Sequence, residues 1–212
     1  MNIKSFTFNP FQENTYIVYD STKECLIIDP GCYTDAERKE LKTFIEEEEL
    51  TPVKLINTHC HIDHVLGNKF TSEQWDIQLH MHKEDLPILE KVEYVGKMYG
   101  LEDYEISPLP KHFLAHKETL TFGASSFEIL FTPGHAPGHI CLYSKENNML
   151  ISGDVIFQRS IGRTDLPGGD HDTLINSIIT QLFPLPNETQ IFCGHGPSTN
   201  LGYEKEHNPF LQ

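Results

Sequence analysis

The stretch Thr58-His59-Cys60-His61-Ile62-Asp63-His64 places three imidazoles and a carboxylate within six residues. Along an extended segment side chains alternate between faces, so His59, His61 and Asp63 point to one side, and a helix starting at Asp63 turns His64 to another. That geometry suits two metal ions rather than one. The apolar run Val53-Lys54-Leu55-Ile56-Asn57 before it reads as a buried strand, and Val65-Leu66-Gly67-Asn68 after it reads as a turn into a helix. The cluster therefore falls where strand becomes loop, a place that binding sites favour. A solvated histidine-rich loop is the plain alternative. Against it stands the density of neutral imidazole and carboxylate, the usual ligands of borderline cations, beside an apolar strand. Four-coordinate sites then need further ligands from elsewhere in the chain.

With 212 residues the chain fits one domain, 1–212, with a sizeable core. A formal net charge of −15 argues against nucleic-acid backbones and anionic membranes as main partners, since both would be repelled at long range. The five cysteines, Cys25, Cys32, Cys60, Cys141 and Cys193, are odd in number, scattered and without a CxxC pair. They read as reduced thiols in a cytoplasmic setting, mostly small core residues. The N-terminus lacks the apolar region of a signal peptide, and no run approaches the roughly 18 apolar residues of a membrane span.

Three strands are expected first, at Ile3–Phe8, Thr15–Tyr19 and Cys25–Ile28. Thr34 with Glu37 forms a capping-box signature, and Leu41, Phe44 and Ile45 continue at helical spacing, which predicts a surface helix from Thr34 to about Glu48 with a fraying acidic end. Gly67–Trp75 looks helical and Ile77–His82 looks like a strand, with His80 in a packing role and His82 on the surface. Lys83–Tyr99 has Leu86, Leu89, Val92 and Tyr99 near helical spacing, and 100–110 is loop-like, a candidate lid. Short strands follow at Thr119–Phe122, Phe127–Phe131, Ile140–Tyr143 and Met149–Ser152. Leu174, Ile175, Ile178, Ile179 and Leu182 share a helical stripe with Asp172 as a plausible cap, and Gln190–Cys193 is a last strand. Two sheets with helices outside them accommodate this order.

Three further strand ends carry donors: His135 in Thr132-Pro133-Gly134-His135-Ala136-Pro137-Gly138-His139, Asp154 in Ser152-Gly153-Asp154, and His195 in Cys193-Gly194-His195-Gly196. Singly, each reads equally well as a turn or cap residue. Together they fill the open coordination positions. At this point the sequence resembles the metallo-β-lactamase superfamily, and within it the glyoxalase II-type hydrolases. The matching pieces are THCHIDH at 58–64, TPGHAPGH at 132–139, SGDVIF at 152–157, SIGRTDLPGGD at 160–170 and CGHG at 193–196. The SIGRTDLPGGD loop narrows the match towards glyoxalase II-like and short YcbL-like proteins. The resemblance implies an αββα four-layer sandwich with a dinuclear centre. In it His59, His61 and His135 would hold one ion, Asp63, His64 and His195 the other, and Asp154 would bridge. Glyoxalase II carries a C-terminal helical extension with basic residues that helps hold glutathione. This chain runs seventeen residues past His195, to Gln212, and 200–209 resembles the ending of the short subgroup.

Two divalent ions, zinc first but iron or manganese equally accommodated by these ligands, would share a water, lower its pKa and hold it as a bridging hydroxide. That nucleophile would attack the carbonyl of a small hydroxyacyl thioester such as S-lactoylglutathione, and a thiolate would leave. Asp63 and Asp154 carry the catalytic expectation, Asp63 by orienting the nucleophile. His139, four residues beyond His135, is expected to support a ligand by hydrogen bonding, and Cys60 to pack away from the metals. Arg163 and Asp165 lie in a Gly-rich loop and read either as bordering the substrate or, by a small preference, as a salt bridge stiffening that loop; Tyr203 and Lys205 read equally as packing or substrate contacts. Persulfide dioxygenases share the fold with a single iron and form the main rival, followed by hydrolases of lactones or β-lactams and a non-catalytic binding module. Superfamily nucleases carry a basic surface that this acidic chain lacks.

Overall fold

The computed structural model describes residues 1–212, and the chain divides into two compact units. The first comprises Met1–Phe113 with Thr121–Ser125, the second Leu114–Leu120 with Ser126–Gln212. No helix is long and apolar enough to cross a membrane.

In the first unit the expected opening strands form as β1 (Asn2–Phe8), β2 (Glu13–Tyr19) and β3 (Glu24–Ile28), antiparallel neighbours in sequence order. The chain then crosses over through α1 (Asp35–Glu47) to β4 (Thr51–Ile56), which pairs with β3 in parallel. The Thr34–Glu37 capping box is complete, and the helix closes at Glu48 without a basic residue in its last turn. Helices α2 (Ile62–Val65) and α3 (Asn68–Trp75) lead to β5 (Leu79–Met81), shorter at both ends than the apolar pattern suggests. A 3-10 turn (Lys83–Asp85), α4 (Leu86–Leu89) and α5 (Val92–Met98) replace one long helix over 83–99, with Pro87 opening α4. With β6 (His112–Phe113) the sheet runs β1-β2-β3-β4-β5-β6. Its core gathers Phe6, Ile17, Ile27, Leu41, Leu55, Leu66, Leu79 and Met81, each worth roughly 1.5–3 kcal/mol on burial.

The strands of the second sheet are β7 (Thr119–Phe122), β8 (Ser125–Phe131), β9 (Ile140–Ser144), β10 (Met149–Gly153), β13 (Gln190–Cys193) and β14 (Thr199–Asn200). Edge to edge it runs β14-β13-β10-β9-β8-β7. A separate hairpin of β11 (Ile156–Phe157) and β12 (Ser160–Ile161) interrupts the order. Helix α6 (His171–Ser177) continues into a π-helical segment, Ile178–Leu182, and forms the crossover to β13, parallel to β10. Its cap is Asp170, whose carboxylate accepts from the Thr173 amide at 2.8 Å; Asp172, the expected cap, lies inside the first turn. Helix α7 (Leu201–His207), capped by Asn200, closes the chain. Leu130, Leu150, Ile156, Leu174, Ile178, Ile191 and Leu201 form this unit's core.

Candidate metal centre

His59, His61, Asp63 and His64 follow directly on β4, and the first unit holds them by buried polar groups. Asn57 donates from Nδ2 to the His64 carbonyl at 3.1 Å, fixing the start of α2. Asp29, at the end of β3 with its φ at 49°, accepts from the Thr58 amide at 2.7 Å and the Thr58 hydroxyl at 2.6 Å. Its Oδ2 also lies 3.2 Å from His64 Nδ1. That contact puts the His64 proton on Nδ1 and leaves the Nε2 lone pair for a cation. His64 Nε2 is 3.6 Å from Asp63 Oδ2, and the His59 ring centroid is 4.8 Å from that of His61 and 4.1 Å from that of His64. Donors of Asp29, His59 and His64 also lie within 4.8 Å of one another. Both Asp29 oxygens are engaged by Thr58, so Asp29 orients a ligand instead of serving as one.

Two more buried acids support this segment. Asp85 Oδ2 accepts from the Cys60 amide at 2.7 Å. Glu13 Oε1 lies 3.9 Å from His64 Nδ1, and burial pushes the Glu13 carboxyl up, with His64 pulling it down and Asp29 pushing it further up. The Asp63 carbonyl accepts from Asn9 Nδ2 at 2.9 Å. Cys60 turns away from the ligands, as the alternation of an extended chain requires, and packs its sulfur 3.7 Å from that of Met81. Its thiol is pushed well up by burial and by the nearby Asp85 and Asp29.

In the second unit the ligands stand at three strand ends. His135 follows β8 in a turn where Gly134 has φ 129° and its missing Cβ makes room for the Leu174 backbone. His135 Nδ1 donates to the Arg163 carbonyl at 2.7 Å, which places the ring's lone pair on Nε2. Asp154 follows β10, and its amide donates to His139 Nε2 at 3.0 Å. His139 thus uses its own Nε2 as an acceptor and holds a ligand in place, as its spacing from His135 suggests. His195 follows β13, where the Gly194 amide donates to the Gly153 carbonyl at 2.7 Å.

Asp154 Oδ2 lies 3.5 Å from His135 Nε2 and 3.5 Å from His195 Nε2. Both separations exceed a hydrogen bond, whereas two donors about 2.0–2.2 Å from one tetrahedral cation stand about 3.3–3.6 Å apart. Asp154 Oδ2 and each of the two imidazoles therefore stand at the spacing of donors that share a cation. The donor set of imidazole nitrogens and carboxylate oxygens fits such cations, and clusters suited to metal binding are present in both units.

Every candidate ligand read from the sequence lies beside another possible donor of its own unit. The structure also corrects one residue and adds three. His82, expected on the surface, is buried and accepts from the Glu84 amide at 3.3 Å, because the chain turns into the 3-10 helix directly after it. His80 is half-buried, its ring 5.4 Å from that of His112. Asp29, Glu13 and Asp85 are the additions. Only Asp29 had a signal, a carboxylate ending a strand before Pro30-Gly31. Arg163 pairs with Asp165 at 2.7 Å through two nitrogens, which holds the Asp165 carboxyl down to about 2 and stiffens the loop.

Residues 8–195 match the Metallo-beta-lactamase superfamily. The chain belongs to that superfamily. Its fold class is the α/β sandwich of this superfamily, shared with solved relatives. It is similar to BLEG-1 B3 metallo-beta-lactamase, with a TM-score of 0.91 and 37% identity, each chain covered over 100%. It is also similar to TTHA1623 in a di-iron-bound form, with a TM-score of 0.88 and 37% identity, over 98% of this chain and 100% of that one. Hydroxyacylglutathione hydrolase GloC of Haemophilus influenzae is 38% identical over 216 residues, 100% of this chain and 98% of the relative. The donor clusters are consistent with a metal-dependent hydrolase of the superfamily.

Proposed function

We propose that residues 1–212 act as one cytoplasmic domain that hydrolyses a small hydroxyacyl thioester, in the manner of the short glyoxalase II-like subgroup. The observation that carries this reading is Asp154 Oδ2 at 3.5 Å from each of two imidazole donors, which supports a bridging carboxylate and hence two ions. His59, His61 and His135 are assigned to one ion, Asp63, His64 and His195 to the other, with zinc, iron or manganese as the metal. Such ions supply an acidified water and a polarised carbonyl. The protein's share is orientation. Asp29 and the Arg163 carbonyl set the tautomers of His64 and His135, His139 fixes the Asp154 backbone, and Asp63 stands beside His64 to orient the nucleophile. A departing thiolate needs no strong general acid. The thioester is supported by the similarity to GloC and by the SIGRTDLPGGD loop. All five cysteines are free and buried, which agrees with a reducing compartment.

The test is hydrolysis of S-D-lactoylglutathione, followed by loss of thioester absorbance, with protein of known metal content beside Asp154→Ala. Turnover in the wild type and its loss in the variant are expected. A fully metallated protein without turnover would rule out this substrate. The similarity to a B3 metallo-beta-lactamase favours a second reading, β-lactam hydrolysis, and a chromogenic cephalosporin in the same assay separates the two. Activity and bound metal should fall together at acid pH, because ligation requires neutral histidine.

A further inference from the structure

Helix α7 carries Glu204, a carboxylate with no exposed surface. Such a group is costly to bury unless hydrogen-bonded, and Glu204 accepts three bonds. Oε1 takes the Thr199 hydroxyl at 2.5 Å, and Oε2 takes the Arg159 amide at 2.8 Å and Asn208 Nδ2 at 2.9 Å. Asn208, equally buried, donates from the same Nδ2 to the Ser160 carbonyl at 2.9 Å. Arg159 lies in the turn of the β11–β12 hairpin and Ser160 opens β12; Arg159 sits at a φ of 57°, a conformation uncommon for a residue with a side chain.

That hairpin and the two residues after it touch all three ligands of the second unit. The Phe157 ring meets that of His195 edge-on, with centroids 6.2 Å apart. Gly162 passes so close to Asp154 that a Cβ would stand 1.9 Å from the Asp154 carbonyl oxygen. The Arg163 carbonyl accepts a hydrogen bond from His135 Nδ1. We propose that Glu204, assisted by Asn208, is a positioning residue for the metal centre. Its buried carboxylate fixes the hairpin turn, and the hairpin fixes His135, Asp154 and His195.

The inference rests on these three residues being metal ligands, and its test keeps the two claims apart. Full-length wild type, Glu204→Ala, Asn208→Ala and Thr199→Ala are stripped of metal. Zinc affinity is then read by competition with a chromophoric chelator, cobalt absorption spectra are recorded, and unfolding of the metal-free forms is followed by heat. Thr199→Ala cuts a bond that does not reach the hairpin, so it should lower the unfolding temperature and leave zinc affinity as in wild type. Glu204→Ala and Asn208→Ala should weaken zinc binding about 10–100-fold and alter the cobalt spectrum. Wild-type affinity in both, or an equal loss in Thr199→Ala, would overturn the positioning role. A wild type that binds no zinc would overturn the ligand assignment itself. Should Glu204→Ala not fold, Asn208→Ala decides alone, with wild-type affinity counting against the proposal.

Discussion

The two sets of ligands are built by opposite means. His59, His61, Asp63 and His64 lie within six consecutive residues, and the first unit supports them with buried side-chain acids: Asp29 on His64, Asp85 on the Cys60 amide, Glu13 nearby. His135, Asp154 and His195 are spread over 61 positions, and the second unit supports them largely with backbone groups and close chain approaches. A ligand run contiguous in sequence has its backbone already shared, so the fold need only orient rings. Ligands drawn from three strand ends must be brought into register by the chain itself.

The sharpest way to break this contrast is Gly162→Ala. A methyl 1.9 Å from the Asp154 carbonyl oxygen has to displace backbone, so zinc affinity should fall about 100-fold or more, measured by chelator competition, with a stability loss of about 1–3 kcal/mol or more in chemical denaturation. Asp29→Ala attacks the other half through a side chain. It removes the acceptor of the His64 Nδ1 proton, and zinc affinity should drop about 10–100-fold. If the Gly162 and Asp29 variants lost the same single metal equivalent, the two modes of support would not be separable. Cys60→Ala, between two ligands but turned into the core, should cost about 1 kcal/mol of stability and leave metal content unchanged.

The smallest effect is expected of Asp20, a first-unit acid remote in function from the ligands. Burial opposes its charge, but bonds from the Thr22 and Ser125 hydroxyls and the Thr22 and Ala124 amides hold its carboxyl down to about 2. A carboxyl lowered on folding stabilises above its unfolded pKa of about 3.9, and the gain disappears as the pH falls towards about 2. Asp20→Asn should therefore flatten the dependence of the thermal midpoint on pH across that window.

The same contrast explains what could be read without coordinates. The heptad at 58–64 stood out because spacing alone sets which side chains share a face, and His135, Asp154 and His195 stood out as candidate ligands because each follows a strand in a Gly-containing turn. Strand positions came from apolar runs, and the start of α1 from a capping box that is wholly local. The supporting residues left no such trace. Glu13, Asp85 and Glu204 act across 25 to 51 positions of chain, on His64, Cys60 and Arg159, and nothing in Gln12-Glu13-Asn14 or Lys83-Glu84-Asp85 separates them from surface acids. The cap of α6 was misplaced by two residues because Asp170 and Asp172 offer the same oxygen, and only the turn after Gly168-Gly169 decides between them. The β11–β12 hairpin, two residues to a strand, is too short for periodicity to register.

Burial also pushes the thiols of Cys25, Cys32, Cys141 and Cys193 up to about 12, and that of Cys60 well above its usual range. Attack on a disulfide requires a thiolate with access to it, so none of the five exchanges with a disulfide reagent while the chain is folded. The protein thereby carries its own unfolding clock. A coloured disulfide reagent added to the native enzyme in excess would respond only as molecules open, and the rate at which five equivalents appear would report how long the folded state lasts.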